Sequence, residues 1–193
     1  MSAIFLSASI PVKGRSNYYE TADPFLIQFA VRELVTSVIR QRQIVWGGHP
    51  AITPMILAIC QDLDVDYSNV VVLYQSRFFE AQFPQENRHF DNTILVDAVS
   101  GDREMSLLRM REEMLSRQDL RAAVFIGGME GVGAEYEIFT RFHSGAKVLP
   151  VAATGGAARQ LAMQIGNPDE ASLENVDFAR LFHTELSPQQ IGD

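Results

Sequence analysis

One cysteine, a shortage of positive charge and the absence of any long apolar run exclude several ways of building this chain. Cys60 has no second cysteine to pair with. It lies beside Met55-Ile56-Leu57-Ala58-Ile59 and reads as a small core residue of a protein kept in a reducing compartment. Lys and Arg number 16 against 24 Asp and Glu, for a formal net charge of -8 and a pI near 5.0. A duplex nucleic acid would want a basic stripe, so none is expected as partner. A small phosphorylated ligand stays possible, because a local pocket can be positive on an acidic surface. No apolar run approaches the ~18–20 residues of a membrane span. Ala3-Ile4-Phe5-Leu6 follows the N-terminus with no positive charge ahead of it, so neither signal peptide nor membrane partner is expected, and the protein is expected to be cytoplasmic. G-x-G-x-x-G, P-loop, G-x-S-x-G and H-E-x-x-H motifs are all missing, and the histidines at 49, 89, 143 and 183 show no ligand spacing. No metal and no resident cofactor are expected.

What is present is an alternation of short apolar runs and longer amphipathic stretches, without repeats or a long linker. Strands are expected at Ala3–Ala8, Gln43–Trp46, Val70–Tyr74, Ile94–Asp97, Ala122–Ile126 and Lys147–Ala152. Most are continuously apolar, as parallel strands covered on both faces are. Helices are expected from Asp23-Pro24 and from Thr53-Pro54, each by a capping residue followed by proline. Further helices are expected at about Asp102–Arg117, Gly133–His143 and Gly156–Ile165. This alternation predicts a doubly wound α/β fold, a mainly parallel, Rossmann-like sheet with helices on both faces. Residues 1–166 form the domain, and 167–193 a C-terminal helix or arm of it. The segment Gln75–Asn92, rich in aromatics and amides, is expected to be irregular. It is a lid or binding loop, or else an interface or a partly helical insertion.

In such sheets ligands bind beyond the carboxyl ends of the strands. Three strand-to-helix turns carry paired glycines there: Gly47-Gly48, Gly127-Gly128 and Gly155-Gly156. Glycine lets backbone approach a ligand, and the following helix N-terminus suits phosphate. The turn Gly127-Gly128-Met129-Glu130-Gly131-Val132-Gly133 is the densest, and Glu135 follows it. With a helix starting at Gly133, Glu135 falls in the first turn and shares a face with Ile138, Phe139 and Phe142. It is a functional carboxylate or simply an acid placed on the helix dipole. Arg111, four after Leu107 and four before Leu115, falls on an apolar face, where an arginine is bound to an anion, held in a structural ion pair, or snorkelling from the edge of the stripe. Ser7 and Ser9 at the end of the first strand, Lys13 and Arg15 just after it, His49 after the first glycine pair, and Thr154 before the last are further candidate ligand contacts. A solvated loop is the alternative for the first four; Tyr19 and Glu20 are weaker candidates, and Tyr18 could equally be packing.

At the Gly127–Glu135 turn the chain resembles the SLOG superfamily, which groups LOG-type and DprA-like proteins with ligand-sensing domains of bacterial conflict systems. LOG proteins carry a helical arginine, then a strand and P-G-G-x-G-T-x-x-E. Arg111, the strand Ala122–Ile126, Gly127-Gly128, Gly131 and Glu135 match that order, over a likeness spanning roughly residues 3–165. Val45-Trp46-Gly47-Gly48-His49-Pro50 stands in the place of the family's first glycine-rich phosphate turn. It resembles the stand-alone or sensor members most. The resemblance implies a nucleotide-binding fold, often oligomeric. In its enzymes the glutamate and arginine cleave the N-glycosidic bond of a nucleoside 5′-monophosphate. Here Ile126 stands for the proline, Glu130 is inserted and Val132 replaces the threonine.

Losing a hydroxyl and gaining an acid shift the expectation from cleavage toward binding. The leading expectation is a domain that binds or senses a phosphate-bearing nucleotide, or a ligand derived from NAD or ADP-ribose. The alternative is an N-glycosidase with Glu135 and Arg111 catalytic. The expected partner is a small nucleotide, with a second copy of the chain by analogy.

Overall fold

The computed structural model describes residues 2–66, 70–166 and 168–192. Among these, six strands form one parallel sheet: β1 (Ala3–Ser9), β2 (Gln43–Trp46), β3 (Val71–Ser76), β4 (Thr93–Val96), β5 (Leu120–Gly127) and β6 (Lys147–Val151). The helices are α1 (Tyr18–Thr21), α2 (Pro24–Val38), α3 (Thr53–Asp62), α4 (Arg103–Leu115), α5 (Gly131–Phe142), α6 (Gly156–Gly166), α7 (Glu170–Leu173), α8 (Phe178–Glu185) and α9 (Pro188–Ile191). The doubly wound, Rossmann-like α/β architecture is as expected from the sequence. Met1, Asn167 and Asp193, which bound the expected segments 1–166 and 167–193, lie outside the described residues.

Alternation along the central strand shows how the two faces form. Ile4 and Leu6 enter a core with α2, α3 and the C-terminal helices, whereas Ala3 and Phe5 enter a second core with α4, α5 and α6. Period-two side-chain direction therefore splits one apolar run between two layers. Strand order is β4-β3-β2-β1-β5-β6. The chain leaves β1 toward β2 and leaves β5 toward β6, in opposite directions, so a crevice opens between the carboxyl ends of β1 and β5. That is the topological switch point, where open α/β sheets bind ligands. Ser9 pairs with Gly127 at this end, and β1 runs three residues beyond its last pairing with β2, Leu6 with Trp46.

Helix starts follow local chemistry, with two departures. Asp23 caps α2 through bonds from the Phe25 and Leu26 amides, and Asp102 caps α4 through Met105. Thr53, expected to cap α3, is instead its first residue. Its hydroxyl donates to the His49 carbonyl, and Ile52 occupies the cap position without a side-chain bond. α5 begins at Gly131 rather than Gly133. Glu135 is therefore in its second turn, where a carboxylate gains little from the helix dipole. Phe142, expected to face inward, is exposed beneath the Arg141 guanidinium.

The segment Gln75–Asn92 is more ordered than expected. Gln75 and Ser76 complete β3, and two short 3-10 helices, Arg77–Gln82 and Gln85–His89, follow. In form it is partly helical, as the second alternative had it.

Candidate functional site

A cleft of about 200 Å³ opens at the switch point between β1 and β5. Its floor comes from the end of β1, one wall from the β2–α3 turn, and the other from α4 and the first turns of α5. Ser7, Ser9, Arg15, Gly47, Gly48, His49, Arg111, Met129, Glu130, Gly131, Val132 and Glu135 line it, together with Leu6, Ala8, Trp46, Leu107 and Met110. Those last five were not singled out in the sequence, since apolar residues on strands and helices carry no local mark of a cleft.

Glu135 is held from two sides. The Ser7 hydroxyl donates to Oε2 at 2.6 Å and the Arg111 Nε–H donates to Oε1 at 3.3 Å. The arginine and glutamate side chains are only 16% and 15% exposed. Three residues 128 and 24 positions apart thus meet in one hydrogen-bonded group. Arg111 reaches it from the flank of α4, whose buried residues are Ser106, Met110, Met114 and Leu115, with Leu107 half-buried against the same core. Its guanidinium lies over the first residue of α5, so close that a Cβ at Gly131 would stand 2.8 Å from Nη2. One end-on bond through Nε leaves both terminal nitrogens, a planar fork suited to phosphate or carboxylate, unspent on Glu135. Glu130 is the exposed cap residue of α5, with no side-chain capping bond.

The opposite wall is the β2–α3 turn. The His49 carbonyl accepts from the Ile52 and Thr53 amides, and its ring Nδ1 accepts from the Ala51 amide at 3.2 Å. Burial, and then the nearby Arg15 charge, hold the imidazole below its ordinary pKa. Behind the turn the Gln75 side-chain amide donates to the Gly47 carbonyl at 2.7 Å, and Asn87 donates to the Gln75 carbonyl oxygen at 3.3 Å. Gly48 has φ +68, and a Cβ there would collide with the Gln75 amide nitrogen. Gln75 and Asn87 thus brace the wall from a segment whose role was not legible in the sequence.

The other named residues lie outside the lining. Lys13 is exposed on the β1–α1 loop, and Gly133 is exposed on α5. Gly127, Gly128, Thr154, Gly155 and Gly156 form a braced junction of two turns. The Thr154 hydroxyl donates to the Val151 carbonyl and accepts from the Gly127 amide. At the start of α6, the Gly156 amide donates to the Thr21 hydroxyl and the Ala157 amide to the Gly128 carbonyl. Those helix N-terminal amides are spent on protein. A Cβ on Gly155 would stand 1.8 Å from the Thr21 carbonyl oxygen, so this glycine answers to packing. Val132, where the resemblance calls for threonine, is buried, and a Cβ on Gly128 would stand 2.4 Å from its Cγ2.

No curated protein matches the chain. A family model described as the SLOG cluster3 family matches residues 17–186, which takes in both cleft walls and every strand but β1. The chain belongs to the SLOG cluster3 family, whose domains are Rossmann-like and nucleotide-related.

Proposed function

We propose that the cleft binds a phosphate-bearing nucleotide or an NAD- or ADP-ribose-derived ligand, as a binding or sensing domain. The observation that carries this reading is the Arg111 guanidinium: it lies at the start of α5, inside the switch-point cleft, with its terminal nitrogens turned away from the bond to Glu135. A guanidinium with its fork free of Glu135, beside the N-terminus of a helix, makes a seat for a further anionic oxygen. Arg15 adds a second cation at the mouth. Calorimetry with AMP, ADP-ribose and NAD tests the reading. Binding of at least one, weakened tenfold or more in Arg111→Ala, supports it, and heat from none of them refutes it.

The grip of Ser7 and Arg111 on Glu135 favours a second reading, an N-glycosidase. A carboxylate oriented at the cleft floor can stabilise positive charge developing on a ribose, or accept a proton from attacking water. Free base released from AMP or NAD by the wild-type chain and not by Glu135→Gln supports cleavage. Binding without any release leaves the domain a binder.

A further inference from the structure

The β2–α3 turn assigns His49 a narrower role than that of a general cleft residue, and the assignment rests on the nucleotide reading above. An amide N–H can point only at an unprotonated ring nitrogen, and the Ala51 amide points at Nδ1 at 3.2 Å. The neutral ring must then carry its proton on Nε2. The same residue's carbonyl is held by the Ile52 and Thr53 amides and the Thr53 hydroxyl, at 2.9, 2.8 and 3.0 Å. Backbone and ring are both pinned, so the ring's far edge is what remains for the cleft that His49 lines.

Two consequences follow from the proton's place. Nε2–H cannot accept a proton, so His49 is no general base, and Glu135 alone of the two can take that part. Nε2–H can donate one hydrogen bond, and Arg15 stands near enough for its charge to be felt at the ring. The two acids of the cleft, Glu130 and Glu135, belong to the opposite wall with Arg111. We propose that His49 is a specificity residue whose fixed Nε2–H, beside Arg15, donates to an anionic oxygen of the ligand's phosphate group and so selects phosphorylated over unphosphorylated nucleosides.

Two near-isosteres separate this role from a structural one. His49→Asn would place Oδ1 near the position of Nδ1 and keep the bond from Ala51 as an Asx turn, but it has no donor where Nε2 stood. His49→Gln would keep a donor near Nε2 and give up the turn bond. Binding of AMP and of adenosine is measured by calorimetry for wild type and both variants. A hydrogen bond to a charged acceptor is strong enough that His49→Asn should weaken AMP about 10- to 100-fold. Adenosine should change little, and His49→Gln should hold AMP within about threefold. Equal weakening of AMP and adenosine, or loss in His49→Gln with retention in His49→Asn, overturns the proposal. Nitrogen-15 NMR of the ligand-free wild type supplies a test independent of folding in the variants and of any ligand. A protonated Nε2 with a bare Nδ1 is expected, and the reverse tautomer overturns the assignment. Failure of every nucleotide to bind wild type instead removes the nucleotide reading on which it rests.

Discussion

At the residue scale the cleft is a matter of which donors and acceptors are already committed. Ser7 spends its proton on Glu135 and can only accept from anything else. Its loss is measurable: Ser7→Ala removes a bond to a charged acceptor, and urea unfolding should show about 1–2 kcal/mol less stability. An unchanged midpoint would mean that water replaces the hydroxyl without cost. His49 gives a pH signature whose sign is set by burial. The folded imidazole binds protons less readily than the unfolded one, whose pKa is near 6.5. Between the two values the unfolded chain holds more protons, so stability rises with pH there. The contribution is complete above about pH 6.5 and is lost as pH falls through the folded value. The His49→Asn variant should have a flatter profile in that window, read by thermal melts at stepped pH. A profile as steep as that of wild type would place the titration elsewhere.

At the scale of elements, much was legible because the signals are local. Asp23-Pro24 and Asp102 announce helix starts by capping, and the apolar runs became strands within a residue or two. Glu135 and Arg111 stood out as charges near apolar faces, and the structure brings them to one bond. What misled was glycine, which marks close approach without naming what approaches. At Gly155 it is the Thr21 carbonyl, and at Gly127 it is Ile27 and the Ser9 carbonyl, all distant in sequence. The same geometry yields a contrast between two glycine substitutions. Gly155→Ala forces a left-handed residue, φ +71, onto backbone that cannot retreat, and should cost at least about 2 kcal/mol. Gly133→Ala, inside α5 with nothing within 4 Å of the added methyl, should stabilise by about 0.5–1 kcal/mol. Denaturant midpoints moving in opposite directions are the expected readout; two losses would show that Gly133 is also held by packing.

At the scale of the whole molecule, the C-terminal segment decides what counts as the domain. Its sequence is polar with scattered apolar residues, and its helices are too short to carry a long periodic stripe, so it reads locally as an arm. Its chemistry becomes plain only against α2. Phe178 and Phe182 are completely or almost completely buried, 0% and 1% exposed, in the same core cluster as Ile27, Ala30, Val31 and Leu34. Phe29 meets Phe178 ring to ring at 5.6 Å. Arg42, buried at the end of this layer, donates to the Gly192 carbonyl at 2.8 Å, and Lys147 on the edge strand pairs with Glu185. Deleting residues 167–193 would strip one face of α2 to water and leave Arg42 short of an acceptor. Each large aromatic lost from a core costs about 3–5 kcal/mol, and whole-domain stability is typically about 5–15 kcal/mol. Losing both phenylalanines with Leu186 and Ile191 therefore consumes most of that margin. A chain ending at residue 166 should lack a cooperative melt by near-ultraviolet circular dichroism, while Phe25→Ala, at a side chain 72% exposed on the same helix, should melt like wild type. A cooperative transition in the shortened chain would make the segment an appendage. Its absence would make it the cover of the layer that holds β1, and with it Ser7 and the cleft floor, in place.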